Sequence, residues 1–147
     1  MDSRRRLEAC LSEVGGASIE SLRGAPRARF WECFLSERFA YLDEPRLEYV
    51  RLALDYASRG YAVVVVTGRP ESMRSITLKQ LEEAGLLSAV AEVVFRRSGD
   101  RRSEWVVKLE AIRRLARKYE IQAVYEDSEA VARELKRAMP ELNVILV

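Results

Sequence analysis

The feature that most constrains the fold is a run of four consecutive valines at positions 63–66. A short, uninterrupted apolar run is typical of a strand that is buried on both faces of a parallel sheet. We expect this strand to end at Thr67, where Gly68 permits a turn, and a helix to begin at Pro70. Thr67 is then predicted to lie at the carboxyl edge of a central strand. Open α/β sheets bind ligands at that edge, and the amides of a following helix attract anions such as phosphate.

From residue 61 onward the predicted strands and helices alternate along the chain. Such alternation favours right-handed crossovers and a mostly parallel sheet, so the expected fold class is α/β with a Rossmann-like core. Gly24 and Pro26 are interpreted as helix breakers, and Ser3 and Asp43 as helix caps. The expected helices are 3–14, 27–39, 45–58, 70–84, 103–118 and 129–138, and the expected strands are 61–66, 92–95, 122–125 and 143–147.

Composition excludes several classes of site. The chain of 147 residues has no histidine, which excludes Ser-His-Asp hydrolysis and zinc sites built on imidazole. Any metal must have oxygen ligands, which favours Mg²⁺. No apolar run reaches the roughly 20 residues that span a bilayer, and no signal-peptide core follows Met1, so a cytoplasmic location is expected. In that compartment Cys10 and Cys33 are interpreted as reduced core thiols.

Polar residues from distant parts of the chain are predicted to meet at one sheet edge. Thr67 ends one strand, Glu126 and Asp127 end another, and Lys108 lies early in the helix between them. A hydroxyl, an ammonium group and two carboxylates are what phosphoryl transfer with a bound Mg²⁺ requires. Each residue also has a structural interpretation, namely helix capping for Thr67 and Asp127 and an ion pair with Glu104 for Lys108.

The stretch 96–102 concentrates four arginines in one predicted loop. The net charge of +2 is too small to indicate nucleic-acid binding by itself. A solvated loop is one interpretation, and contact of Arg97 and Arg101 with a phosphorylated substrate is the other.

The order of these motifs resembles the second, third and fourth motifs of the haloacid dehalogenase (HAD) superfamily over about 43–147. The stretch around Gly99-Asp100-Arg101 and Val107-Lys108 is most similar to the phosphatase domains of polynucleotide kinases. The resemblance implies that Thr67, Gly68 and Arg69 bind the phosphoryl group, that Lys108 stabilises its charge, and that Asp127, with Glu126, holds Mg²⁺. It also implies that residues 1–42 form a small helical cap on the core 43–147, as one structural unit.

The superfamily's first motif, a strand ending in Asp-x-Asp-Gly that supplies the nucleophile, is missing from this sequence. We expect the chain to begin just after that motif. Two arrangements then stay open: the strands ending at Thr67 and at Asp127 pair directly, or a cleft separates them. Exposed strand edges favour association, so a homodimer is one expectation.

These observations predict a HAD-like, Mg²⁺-dependent phosphatase of a small phosphorylated substrate that is impaired because its nucleophile is absent. The alternative is a non-catalytic HAD-fold protein that binds a phosphorylated ligand, a nucleic-acid end or a protein partner.

Overall fold

The computed structural model describes residues 1–147 and confirms an α/β protein. Short 3-10 turns lie between several of the regular elements. In chain order these elements are α1 (Arg4–Glu13), α2 (Gly24–Phe34), α3 (Leu47–Ser58), β1 (Val63–Pro70), α4 (Arg74–Glu83), β2 (Val90–Arg96), α5 (Glu104–Leu115), β3 (Val124–Glu126), α6 (Glu129–Ala138) and β4 (Val144–Leu146).

The four strands form two separate parallel pairs. β1 pairs with β2, with Val64 opposite Glu92, and β3 pairs with β4, with Tyr125 opposite Ile145. No ladder of backbone hydrogen bonds joins β1 to β3, so the four strands do not form one continuous sheet. The predicted parallel pairing is therefore confirmed, whereas a complete Rossmann-like core is not observed. Of the two arrangements left open by the sequence, the structure has the cleft.

Two apolar clusters stabilise the molecule. The larger one packs α5 and α6 against β4 and contains Leu109, Ile112, Val131, Ala132, Leu135 and Val144. The second lies within the first 39 residues and joins α1 to α2 through Cys10, Leu11, Leu22, Phe30 and Cys33. An antiparallel bridge between Asp2 and Glu44 links the N-terminal segment to the chain that enters α3.

The prediction of reduced core thiols is wrong. Cys10 and Cys33 form a disulfide with a Cα–Cα distance of 5.8 Å, and no free cysteine remains. The expectation came from the presumed compartment, but α1 and α2 pack side by side and bring the two buried sulfur atoms together. None of the helices is long and apolar enough to cross a membrane. A cytoplasmic location stays a prediction.

Helix α2 begins and ends earlier than the sequence predicts. Gly24 and Pro26 do not break it, because both lie in its first turn, where amides have no partner within the helix and proline is tolerated. At the other end, the Ser36 hydroxyl donates a hydrogen bond of 2.7 Å to the Cys33 carbonyl. Such a side-chain bond competes with the helical pattern, and α2 ends at Phe34. The predicted Ser3 cap is also wrong, since the Asp2 carboxylate accepts the Arg4 amide instead.

The turn predicted after Thr67 is absent. Strand β1 continues to Pro70, with an irregular register between Val66 and Pro70, and α4 begins only at Arg74. Gly68 has no positive φ, so a left-handed turn is not the reason for glycine at this position. Pro70 is the last residue of the strand. Proline has no amide hydrogen to donate to the ladder, and it is tolerated where the ladder ends.

Candidate active site

A cavity of about 1380 Å³ occupies the space between the two strand pairs. Val63–Val66 of β1 border it on one side and residues 120–128, including β3, border it on the other. At the carboxyl ends of these strands the cavity is bordered by Thr67, Gly68, Lys108, Glu126 and Asp127. The structure thus places all of the residues predicted from the strand ends around one cavity, on the same side of the sheet.

Lys108 connects the two sides of this cavity. It projects from α5, its side chain is only 10% exposed, and its Nζ lies 2.8 Å from both Glu104 Oε1 and Glu126 Oε2. Burial acts to lower the pKa of Lys108, but the two carboxylates outweigh it and the pKa is raised. Lys108 is therefore a firmly held cation at neutral pH. The ion pair with Glu104 that was considered as an alternative is present, and it joins the buried Lys108 to a carboxylate that is 47% exposed.

Gly68 allows β1 to approach this bridge closely. A Cβ at position 68 would lie 3.3 Å from Glu104 Oε1, tighter than most real contacts. The close approach, and not a turn, explains the glycine. Beside it, the Arg69 amide donates a hydrogen bond of 3.1 Å to Thr67 Oγ1. Thr67 does not cap α4, so its hydroxyl hydrogen is free to bind an anion at this edge.

Glu126 and Asp127 differ in environment although they are adjacent. Glu126 is 5% exposed, and its Oε1 accepts the amides of Asp127 and Ser128 at 3.1 and 3.0 Å. Burial raises the pKa of Glu126, and the neighbouring Lys108 opposes this only in part. Burial also acts to raise the pKa of Asp127, but a hydrogen bond with Glu126 and the charge of Lys108 outweigh it and lower that pKa. Asp127 is therefore the more readily ionised carboxylate of the pair.

Asp127 is the carboxylate with most freedom at the cavity. Its side chain is 52% exposed, and its nearest cation is Arg46 at 3.8 Å. The alternative that Asp127 caps α6 is wrong, because the cap is Ser128, whose hydroxyl accepts the Val131 amide at 3.3 Å.

Asp43 does not cap α3, which is a correction to the sequence prediction. It is buried between two arginines, with Oδ2 3.2 Å from Arg6 and in direct contact with Arg69. The helix starts at Leu47, after Arg46 in the cap position, so Asp43 lies too far upstream to bind its first amides. Burial lowers the pKa of Arg6 to about 10, which still leaves it charged at neutral pH.

Arg69 borders the cavity, but its guanidinium group is occupied by contacts within the protein. Its guanidinium group binds Asp43, Thr77 Oγ1 at 2.8 Å and Gln80 Oε1 at 2.7 Å, and it is 8% exposed. The structure therefore gives this side chain a role in joining β1 to α4. Binding of substrate by Arg69 stays a prediction.

The four arginines of the loop have separate roles. Arg96 is buried and donates to the carbonyl oxygens of Gly68 at 2.9 Å and Arg102 at 2.7 Å, which holds the loop against β1. Arg102 is paired with Asp100 and Glu110. Arg97 and Arg101 are exposed and are the pair expected to bind substrate. Arg101 borders the cavity, whereas Arg97 borders a smaller depression on the far side of β2.

The chain by itself offers an incomplete metal site. No group of three acidic or other ligating side chains converges anywhere in residues 1–147. Glu126 is occupied by Lys108 and by backbone amides, so among the carboxylates at the carboxyl ends of β1 and β3 only Asp127 is largely free. Mg²⁺ can be held by one or two carboxylates together with phosphate oxygens and water. Asp127 fits one of these positions, and the second carboxylate is missing.

Sequence reasoning missed two groups of residues at the site. Asp43 was interpreted as a helix cap and Arg6 was not singled out, because no periodic signal marks a buried ion pair formed across the fold. Arg96 was grouped with the other arginines of its loop. The structure extends β2 to Arg96, one residue beyond the predicted strand, so this arginine is a strand residue and not part of the loop.

One family model matches the chain. The family is described as the polynucleotide kinase PNKP phosphatase domain, and the match covers residues 34–146. No curated protein and no solved structure matches the chain significantly. The matched range contains the valine strand, Lys108 and the Glu126-Asp127 pair, and it excludes the disulfide-linked N-terminal helix.

Proposed function

The chain belongs to the family of PNKP phosphatase domains, and from this premise we propose that the cavity edge is the phosphate-binding part of a HAD-type phosphoesterase. Thr67 and Gly68 would bind the oxygens of a phosphoryl group, and Lys108 would offset its charge. The observation that carries this proposal is the bridge Glu104–Lys108–Glu126, which holds a buried cation between the two strand ends. A fixed cation facing a hydroxyl and close backbone amides suits a phosphate group.

We propose that the chain as it stands hydrolyses phosphoesters poorly or not at all. Hydrolysis through a phosphorylated enzyme needs a free carboxylate as nucleophile and a second acid to protonate the leaving group. The other carboxylates at the phosphate-binding edge are occupied: Asp43 by two arginines, Glu104 and Glu126 by Lys108. Asp127 alone is free, and one carboxylate cannot serve both steps.

Mg²⁺ is part of this proposal. Asp127 would be one ligand, while Glu126 would position it through the hydrogen bond to its amide. Bound Mg²⁺ neutralises charge on the phosphoryl oxygens. The second carboxylate would have to come from a segment that reaches the same edge of the cavity.

We also retain the proposed division of the chain into a helical cap, 1–42, and a core, 43–147. The disulfide and the separate apolar cluster of α1 and α2 support it. The edge of the cavity lies between the two parts, since Arg6 and Asp43 both border it. A single Rossmann-like sheet would form only with the cleft filled.

Non-catalytic binding of a phosphorylated ligand is the second candidate function. The side chains of Arg97 and Arg101 form no salt bridge or hydrogen bond with other side chains, and Arg101 borders the cavity. Free arginines near a phosphate site favour a polyanion such as a nucleic-acid end. Binding through them would weaken steeply with added salt.

The test uses two proteins, the chain itself and a fusion that carries an apolar strand ending in Asp-Val-Asp-Gly directly before Met1. Met1 borders the cavity and its amino group lies near Asp127, so the added acids would arrive at the correct edge. We expect p-nitrophenyl phosphate hydrolysis with Mg²⁺ only from the fusion. Thr67→Val and Lys108→Met in the fusion should each lower kcat by about 100-fold, the loss seen for one transition-state contact.

A folded fusion that is inactive with Mg²⁺ would overturn the phosphatase proposal. The matched control replaces both added aspartates by asparagine, which keeps the strand and removes the nucleophile. Retained activity in that control would assign hydrolysis to another group.

A further inference from the structure

The smaller depression beside β2 follows the outer edge of that strand. It has a volume of about 290 Å³, and four consecutive residues of the strand, Glu92–Phe95, border it. Successive side chains of a strand point to opposite faces, so four consecutive residues border one depression only where it follows the backbone edge. None of these four residues borders the large cavity, and β1 pairs with the other edge of β2. We call this depression the β2 groove.

Alternate backbone groups along the β2 groove have no partner within the protein. β2 is hydrogen-bonded to β1 alone, and no backbone bond leaves its other edge. The ladder is irregular between Val63 and Val64 of β1, but from Glu92 to Val94 the pairing keeps a regular register. A regular, unpaired strand edge is a template for another extended backbone.

One face of α5 forms the opposite wall of the β2 groove. Ala111, Arg114 and Leu115 lie three and four residues apart, which places them on one face of the helix, and Lys118 follows one turn later. Part of the lining is apolar, since Phe95, Ala111 and Leu115 are buried. An extended peptide in this groove bonds its backbone to the strand edge and packs its side chains against the helix.

The two carboxylates of the β2 groove are already paired. Glu71 lies 2.8 Å from Arg74. Glu92 accepts hydrogen bonds of 3.0 Å from Lys118 and from the Tyr119 hydroxyl. Neither carboxylate is therefore available to neutralise a further cation at the groove.

Two arginines at the β2 groove are left without a partner. Arg97 and Arg114 are exposed, and their side chains form no salt bridge or hydrogen bond with the rest of the chain. Arg97 directly follows β2, whereas Arg114 lies one turn before Lys118. Two separate positive charges beside an unpaired strand edge favour an extended peptide with acidic side chains. A nucleic acid matches the charges, but it has no backbone amides to pair with β2.

We propose that the β2 groove binds an extended acidic peptide segment of about four residues, which adds to the free edge of β2 and pairs its carboxylates with Arg97 and Arg114. Four residues span about 13 Å at the usual strand rise, which matches the length of Glu92–Phe95. This inference does not depend on the proposed phosphatase function, because none of the residues at the phosphate-binding edge borders the β2 groove.

The experiment uses a fluorescein-labelled peptide, Val-Glu-Val-Asp-Val-Glu, added to the whole chain. We expect saturable binding of one peptide per chain by fluorescence polarisation. Hydrogen exchange should slow at alternate amides of Glu92–Phe95 and stay unchanged in β3. A peptide with proline at a central position lacks one backbone donor and should bind about 10-fold more weakly.

Protein variants test the contribution of the two arginines. Arg97→Gln/Arg114→Gln should weaken peptide binding by at least ~10-fold, because two charge-assisted pairs are lost. The matched control is Arg113→Gln/Arg117→Gln, which removes the same charge from exposed positions that border neither the β2 groove nor the large cavity. We expect the control to change the affinity by less than about 2-fold, since distant exposed charges are screened by salt.

Four outcomes would overturn the proposal. The first is no saturable binding of the peptide to the unmodified chain. The second is an equal loss of affinity in the control variant, which would assign binding to net charge. The third is binding that leaves the exchange of the β2 amides unchanged. The fourth is an oligonucleotide of equal charge that binds as tightly and slows the same amides, which would assign the groove to polyanions in general.

Discussion

Replacing Lys108 by methionine should destabilise the protein strongly. The substitution keeps the length of the side chain but removes the cation that lies 2.8 Å from Glu126, whose side chain is 5% exposed. Removing one partner of a buried ion pair typically lowers the free energy of unfolding by about 3–5 kcal/mol. Glu126 keeps two backbone amide donors, so we expect the lower end, about 3 kcal/mol. For 147 residues this corresponds to a Tm lower by about 10 °C.

The effect should depend on pH with a definite sign. Burial already raises the pKa of Glu126 in the folded state above its unfolded value, so the native protein binds more protons than the unfolded one. Stability then falls as pH rises from the unfolded pKa through the folded pKa. Without Lys108 the folded pKa rises further, because the opposing positive charge is gone. The loss in Lys108→Met should be largest near pH 7.5 and smaller near pH 5, where a larger fraction of Glu126 is protonated.

Urea unfolding followed by circular dichroism, at about pH 7.5 and about pH 5, measures both effects. The matched control is Lys118→Met, which removes a pair with Glu92 at 3.0 Å from a lysine that is 64% exposed. Exposed pairs contribute about 0–1 kcal/mol, so this control should change little. The double variant Lys108→Met/Glu126→Gln should recover most of the loss, because a neutral glutamine still accepts the amides of Asp127 and Ser128. The reasoning is refuted if Lys108→Met costs no more than the control, or costs the same at both pH values.

Two further predictions concern the disulfide and the glycine. Cys10→Ala/Cys33→Ala should lower the free energy of unfolding by about 3 kcal/mol, since the disulfide closes a loop with a sequence separation of 23. Thermal unfolding with and without reductant measures the loss of stability. An unchanged Tm would contradict the prediction. Gly68→Ala should displace Glu104 from Lys108 with a stability loss below about 1 kcal/mol, while weakening phosphate binding measured by calorimetry. Unchanged phosphate affinity in a folded Gly68→Ala protein would remove Gly68 from the site.

The placement of Thr67, Lys108 and Asp127 around one cavity was predictable, because it follows from the order of the elements along the chain and from their hydrophobic periodicity. Parallel strands that alternate with helices bring all of their carboxyl ends to one edge, whatever the details of packing. The valine run identified the strand that carries this edge, and Glu126-Asp127 marked the end of another. Their placement around one cavity needed no knowledge of contacts between side chains.

The state of each side chain was not predictable in this way. Whether Asp43 caps a helix or bridges two arginines depends on where α1 and β1 lie relative to it, and neither position has a local sequence signal. The pairing of Cys10 with Cys33 likewise depends on the packing of α1 on α2, not on composition. Local sequence patterns indicate which helix or strand a residue belongs to. The residues that its side chain contacts belong to elements far away in the chain.

The sequence by itself determined that this chain is an α/β protein with its polar residues at one sheet edge, because hydrophobic period and strand order are local properties. Only the tertiary structure decided that β1 and β3 stay apart, that Lys108 is buried between two carboxylates, and that Asp127 is the carboxylate left largely free at the strand ends. Those outcomes depend on which groups can satisfy one another across space, and buried charges and unpaired strand edges are settled only when the whole chain is packed.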